Sequence, residues 1–97
     1  MQKEYIEIAE YLKEKSKTEN EAVRAGDLGA LFNLTKRGIR AIVTVLRQEG
    51  YPICSSNCGY WYGTDPADIE KTGNRLMAQA ESMRKAAEGL YRGMNGK

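Results

Sequence analysis

Four basic side chains lie close together in the middle of the chain. Residues 34–62 contain one acidic group, Glu49, and four basic groups: Lys36, Arg37, Arg40 and Arg47. The 33 residues before them carry more acidic than basic groups, and the net charge of the whole chain is only +2. A guanidinium can donate paired hydrogen bonds to a phosphate or to a guanine edge, and a lysine ammonium attracts a phosphate as a point charge. This local basic surface is typical of a protein that binds a polyanion.

Residues suited to catalysis or to metal binding are scarce. The chain has no histidine, so the commonest general base is missing, and it has no glycine-rich phosphate-binding loop. Cys54 and Cys58 are four residues apart, but a zinc site needs about four ligands and no histidine completes this pair. We expect reduced thiols, with a local disulfide as the alternative. The sequence thus predicts a binding protein rather than an enzyme, with no metal and no cofactor.

The basic cluster falls on a predicted helix over residues 36–48. Thr35 is a suitable N-cap because its hydroxyl can accept a hydrogen bond from a free first-turn N–H, and Gly50 is a suitable stop signal. One side of this helix is apolar and is predicted to be buried: Ile39, Ile42, Val43 and Leu46. The other side is predicted to be exposed: Arg37, Ala41, Thr44 and Gln48, with Lys36, Arg40 and Arg47 along one flank.

Other patterns predict the elements that position this helix. An amphipathic helix over 3–15 comes first, then an extended segment at 22–24 and a short helix over 26–32. Two β runs, 52–55 and 60–62, flank a turn-rich tetrapeptide and predict a hairpin. The aromatic run Tyr60-Trp61-Tyr62 in that hairpin is expected to pack in the core, and nucleic-acid stacking, best placed at Trp61, is the alternative. Asp65 as N-cap and Pro66 at the first position then open a last helix that reaches about Met94.

Two helices joined by about three residues form a helix-turn-helix, and a hairpin directly after the second helix forms a wing. The exposed side of an α-helix fits the major groove of duplex DNA. Arg37 and Arg40 are suited to guanine or phosphate, and Ala41 to a thymine methyl group. The predicted DNA-binding residues are Thr35, Lys36, Arg37, Arg40, Thr44, Arg47, Gln48, Ser55, Ser56 and Asn57. For Arg47 the alternatives are a pair with Glu49 or a stem that covers the core.

The run Leu28–Gly50 resembles the helix-turn-helix of the winged-helix superfamily, and Tyr51–Ser55 with Gly59–Tyr62 resembles its wing. The layout is similar to that of the N-terminal domain of the biotin operon repressor, and closer to that of small winged-helix proteins of phages and prophages. The resemblance implies a DNA-reading helix over Thr35–Gln48 and a wing over Ser55–Tyr60. Because no effector or enzyme domain follows, ligase activity is not implied.

The last helix carries a heptad-like apolar seam. Its proposed dimerisation residues are Leu76, Ala80, Met83, Ala87, Leu90 and Met94, spaced alternately four and three residues apart. A helix of this length exceeds the diameter expected for the rest of the domain. We therefore expect it to pair with a second copy, the alternative being a fold back onto the first helix at a break near Gly73.

The predicted fold class is α+β, mostly α: a winged helix-turn-helix with a two-stranded β-wing and a long C-terminal helix. Residues 1–64 form the DNA-binding domain, and residues 65–97 form the C-terminal helix. The charged N-terminus and the lack of a long apolar run predict a cytoplasmic protein with no membrane partner. The predicted function is sequence-specific binding of double-stranded DNA as a transcriptional regulator of phage or mobile-element type. The alternatives are an origin-binding replication factor, a DNA-binding protein of architectural type, and an interaction module that binds a host protein.

Overall fold

The computed structural model describes residues 2–96, and Met1 and Lys97, the outer ends of the two predicted regions, lie outside the described residues. Three helices come first, α1 (Lys3–Lys15), α2 (Ala25–Phe32) and α3 (Lys36–Gln48), with a short 3-10 turn, Glu19–Glu21, between α1 and α2. The strands β1 (Ile53–Ser56) and β2 (Gly59–Tyr62) follow, and α4 (Pro66–Gly96) ends the chain. The fold is therefore mostly helical, with a two-stranded antiparallel sheet and a long C-terminal helix, as predicted.

The core lies between the first three helices and one side of the hairpin. Its fully buried side chains come from every element of this unit: Ile8 and Leu12 of α1, Leu28 of α2, Ile39 and Leu46 of α3, and Ile53 of β1. These apolar residues recur at three- and four-residue spacings in α1 and α3, so each helix buries one side. The predicted rotation of α3 about its axis is thereby confirmed.

A tight connection joins α2 to α3. Asn33 ends α2 in the left-handed conformation, with φ 57° and ψ 48°. A Cβ on Gly29 would lie 2.3 Å from the carbonyl oxygen of Leu34, so only glycine allows the chain to return this closely. Thr35 then caps α3, because its hydroxyl accepts a hydrogen bond from the Gly38 N–H at 3.0 Å. The predicted cap is confirmed.

The hairpin is held on the core by its own pairing and by two neighbours. Ile53 pairs with Tyr62 and Ser56 with Gly59, so the turn is two residues long, shorter than the predicted four. Val23 forms an isolated antiparallel bridge with Tyr60, which confirms the predicted extended segment. Ser16 is fully buried, and its hydroxyl donates to the Tyr60 carbonyl at 3.1 Å. Its backbone carbonyl accepts the Tyr62 N–H at 2.7 Å.

The last helix starts on the hairpin and then leaves it. Asp65 caps α4, since its carboxylate accepts the Ala67 N–H at 3.0 Å. Thr72 is buried, and its hydroxyl accepts the Ser55 N–H at 3.4 Å. The helix continues without interruption through Gly73, so the alternative of a break there with a fold back onto α1 is not what the structure has. A single glycine costs a helix only about 1 kcal/mol, and packing of the flanking turns can offset that cost.

Candidate nucleic-acid interface

The polar side of α3 faces solvent. Every residue predicted on that side is exposed: Lys36, Arg37, Arg40, Ala41, Thr44 and Gln48. The opposite side holds the four buried apolar residues of α3. The helix therefore presents about three turns of polar and basic surface that no other part of the described chain covers.

Two of the predicted DNA-binding side chains, Thr35 and Thr44, already form hydrogen bonds with the backbone of α3. The Thr35 hydroxyl accepts the Gly38 N–H, and the Thr44 hydroxyl donates to the Arg40 carbonyl at 3.1 Å. A hydroxyl that donates its proton still has lone pairs to offer. The Thr44 hydroxyl oxygen can therefore still accept a hydrogen bond from a partner. The Thr35 hydroxyl oxygen already accepts one bond as the cap of the helix.

A groove of about 510 Å³ separates the tip of the hairpin from the first turns of α2 and α3. The sequence analysis predicted five of the residues that line it: Lys36, Arg40, Ser55, Ser56 and Asn57. The structure therefore brings the basic flank of α3 and the polar tip of the hairpin to one concave surface. Asn57 is exposed at the tip, and the Ser56 hydroxyl accepts the Cys58 N–H at 3.0 Å and so stabilises the turn.

Arg24 is a lining residue of this groove that the sequence analysis missed. It is exposed and stands directly before α2, where its backbone lies beside Gly59 of the hairpin. Its position in the acidic first third of the chain gave no signal, and only the bridge between Val23 and Tyr60 brings it here. Asp27 in the first turn of α2 is the acidic group of the lining.

Within residues 2–96, the basic side chains of this surface form no ion pair with an acidic group. Across residues 2–96 the ion pairs within 4.0 Å join Arg84 to Glu81 and to Glu88, all on α4. None of these pairs involves Arg24, Lys36, Arg37 or Arg40. Three basic groups against one acid in the groove leave it with an excess of positive charge, and these cations are available to an anionic partner.

Arg47 differs from the other bases of α3 because it is tied to the hairpin. Its Nε donates to the Ile53 carbonyl at 2.8 Å, and its Nη2 donates to the Ser55 hydroxyl at 2.9 Å. Burial, together with the nearby charge of Arg75, lowers the pKa of Arg47 below its ordinary value. Arg47 forms no ion pair with Glu49, which was one of its alternatives. Its hydrogen bonds instead hold the hairpin against α3.

Arg75 of α4 also donates to the Ser55 hydroxyl, at 2.7 Å. Two guanidinium groups from different helices therefore meet at one hydroxyl of β1. This convergence was missed in the sequence analysis, because 20 residues separate Arg75 from Ser55 and no local pattern links them. Ser55 lies at the edge of the groove, but its side chain is already bound on two sides.

Trp61, the candidate for base stacking, is buried and does not line the groove. Trp61 is only 3% exposed, and its indole N–H donates to the Asp68 carboxylate at 3.3 Å. Stacking of a base on Trp61 is thus wrong, because the start of α4 covers the ring. Cys54 and Cys58 are both free thiols, the first buried and the second exposed. Burial raises the pKa of the Cys54 thiol.

The predicted dimerisation residues lie along one side of α4. Leu76 is 37% exposed and marks the point where α4 leaves the hairpin, whereas Met83, Leu90 and Met94 are 69–77% exposed. Ala80 is exposed and Ala87 is half-buried. No other described element covers this apolar side.

No helix between residues 2 and 96 has both the length and the apolar character needed to cross a bilayer. Comparison with protein-family models, with curated proteins and with solved structures found no match to this chain. What the groove binds must therefore be inferred from the side chains that line it.

Proposed function

We propose that this protein binds double-stranded DNA in a sequence-specific manner and regulates transcription, in the manner of small winged-helix regulators of phages and mobile elements. The observation that carries this proposal is the groove of about 510 Å³ in which the basic flank of α3 faces the polar tip of the hairpin. A protein of this kind acts in the cytoplasm, where the DNA is.

In the proposed complex α3 enters the major groove with its exposed side. The major groove of B-form DNA is about 12 Å wide and admits one α-helix. Arg37, Ala41 and Thr44 lie on the side that would face the bases, and none of them is needed for the core. Because each base pair displays a different set of donors and acceptors there, such a helix can discriminate sequences.

Phosphate contacts fix the register of this helix on the duplex. Lys36 and Arg40 line one wall of the protein groove, and Arg24 lines another. The sugar-phosphate backbone beside the occupied major groove would run between these side chains and the hairpin tip. Asn57 at the tip offers an uncharged amide to the same backbone or to the adjacent minor groove.

The proposal includes a homodimer formed through α4. The apolar side of this helix is exposed along its distal half, and a two-fold dimer would read an inverted repeat. Its half-sites would lie about one helical turn, or 34–36 Å, apart.

The test is selection from a random duplex library by the purified chain at roughly 150 mM salt, a condition under which purely electrostatic binding is weakened. We expect enrichment of an inverted repeat. Arg37→Ala should weaken binding to the enriched site by about 1–3 kcal/mol and relax the preference at one position of each half-site. The matched control is Arg92→Ala on α4, which should leave binding unchanged. An absence of binding even at low salt would overturn the proposal, and binding without any preference would limit it to an architectural role.

A further inference from the structure

The distal part of α4 projects from the rest of the protein with an exposed apolar side. The molecule measures 54 × 30 × 24 Å, and its long dimension comes from this helix. The part beyond Leu76 contains Gly89, Gly93 and Gly96, each of which costs a helix about 1 kcal/mol relative to alanine. Helices in proteins gain most of their stability from packing of an apolar face. Here that face carries Met83, Leu90 and Met94, all more than two-thirds exposed.

A second unfilled surface lies at the near end of the same face. A groove of about 280 Å³ runs between the end of α3, the start of β1 and the first turns of α4. Ile69, Gly73 and Leu76 form its α4 wall, and Tyr51 and Pro52 form the opposite wall. Because Ile69, Gly73 and Leu76 belong to the same heptad seam as Met83 and Leu90, the apolar face of α4 begins in this groove and then continues into solvent.

The order of side-chain sizes along the seam favours one orientation of a second helix. Small residues, Ala80 and Ala87, alternate with large residues, Met83 and Leu90. In a parallel pair identical positions meet, so layers of two alanines would alternate with layers of two large side chains. In an antiparallel pair Met83 meets Ala87 and Leu90 meets Ala80 of the other helix, so the four central layers have similar volumes, as close packing requires, and only the end layers of Leu76 with Met94 hold two large side chains.

The position of the hairpin on α4 also favours the antiparallel orientation. A parallel partner would bring the start of its own α4, with its hairpin attached, to the level of Ile69 and Gly73. The adjacent side of α4 already lies against the hairpin of its own chain, with Thr72 buried and Asp68 bonded to Trp61. A parallel pair would place two hairpins at the same end, whereas an antiparallel pair places them at opposite ends.

We infer that the groove receives the C-terminal end of α4 from a second copy of this chain, in an antiparallel helix pair. This arrangement rests on the proposed dimer and specifies it. Met83 packs on Ala87 of the second copy, Ala80 on its Leu90, and Leu76 on its Met94, so that the two-fold axis crosses the pair at the level of residue 85, whose side chain lies on the outer side of α4. The last turn of the second helix then lies at the mouth of the groove, which Arg47 also lines. A guanidinium is the kind of charge that a helix C-terminus favours.

The same register accounts for exposed side chains on the flank of the seam. Met77 is 72% exposed and Tyr91 is 63% exposed. In the antiparallel register, Met77 of one copy lies beside Tyr91 of the other copy. Arg84 approaches its own symmetry mate near the axis, but Glu81 and Glu88 already neutralise it.

Cysteine cross-linking distinguishes the orientations without any use of DNA, so its outcome is independent of whether the protein binds a duplex. In a Cys54→Ala, Cys58→Ser background, one preparation carries Ala80→Cys and another, tagged to change its size, carries Leu90→Cys. In the antiparallel pair two copies of residue 80 are offset by about 15 Å along the axis, beyond the 7 Å reach of a disulfide. We expect the mixed oxidised sample to give a covalent heterodimer, with little homodimer from either variant alone. Homodimers from each variant alone would overturn the inference in favour of a parallel pair.

Sedimentation equilibrium at high micromolar concentration tests whether the chain dimerises and whether the groove is part of the dimer interface. Met83→Glu should give a monomer, whereas Ser82→Glu, on the far side of α4, should remain a dimer. Gly73→Gln places a side chain in the groove, where a Cβ on Gly73 has no neighbour within 4 Å in the single chain. We expect it to weaken the dimer at least about tenfold, with no loss of melting temperature at dilutions where both chains are monomeric, and we expect Gly89→Gln to leave the dimer unchanged. A monomeric wild-type chain, or a Gly73→Gln chain that dimerises normally, would overturn the inference.

Discussion

The guanidinium of Arg75 in α4 donates a hydrogen bond of 2.7 Å to the hydroxyl of Ser55 in β1. Arg47 of α3 donates to the same oxygen at 2.9 Å. One serine oxygen thus links the candidate DNA-reading helix, the hairpin and the helix that we assign to dimerisation.

Replacement of Ser55 by alanine should destabilise the protein. The change leaves two half-buried guanidinium nitrogens without their acceptor, and such a loss costs about 1–3 kcal/mol. Urea unfolding followed by circular dichroism measures it, and Asn57→Ala at the exposed tip of the hairpin is the control, expected within about 0.5 kcal/mol of wild type. Unchanged stability of Ser55→Ala combined with weaker DNA binding would instead assign Ser55 to the DNA contact alone.

A second prediction concerns Gly59, where the hairpin meets the segment before α2. Gly59 has φ +127°, and a Cβ there would lie 2.6 Å from the backbone carbonyl of Val23. Gly59→Ala should therefore lower the free energy of unfolding by at least about 2 kcal/mol, through backbone strain and displacement of Val23. Gly89→Ala, on an open helical surface, should be neutral or stabilise by up to about 1 kcal/mol. Equal melting temperatures for both variants would contradict the close approach of Val23 to Gly59.

How much of this architecture could be predicted from the sequence depends on the range of each interaction. The bounds of α3 and the cap at Thr35 were predicted correctly, because helix periodicity and capping are local properties. Whether α4 breaks at Gly73 could not be decided from the sequence, because the adjacent turns of α4 are stabilised by contacts with a distant hairpin. Local propensity alone overstated the weakness of that helix.

The candidate site shows the same division. The basic flank of α3 could be found from the sequence, since a single helix carries it. Arg24 and Arg75 could not, because their positions depend on the bridge from Val23 to Tyr60 and on the docking of α4 against β1. The sequence also assigned Arg47 and Ser55 to DNA, and the structure places them in contact with each other.

The two cysteines should differ sharply in reactivity. Cys58 is exposed at the hairpin turn, whereas Cys54 is buried and its pKa is raised by that burial. Because the thiolate is the reactive form, a raised pKa leaves less of it at neutral pH, and burial restricts access as well. We expect an aromatic disulfide reagent at pH 8 to titrate one thiol quickly and the second only on unfolding. Rapid modification of both thiols in the native protein, with Cys58→Ser as the control for assignment, would contradict the burial of Cys54.

The dependence of DNA affinity on salt should identify which basic residues touch phosphate. Each phosphate neutralised by the protein releases condensed counterions, so the logarithm of the binding constant falls linearly with that of the salt concentration. Lys36→Ala and Arg40→Ala each remove one cation from the groove wall, and each should reduce this slope by about 1. Lys85→Ala on α4 changes the net charge by the same amount at a site remote from the groove and should leave the slope unchanged. Equal slopes for all three variants and the wild type would mean that the groove does not hold the phosphate backbone, whereas equal reductions in all three would mean that net charge rather than the groove controls binding.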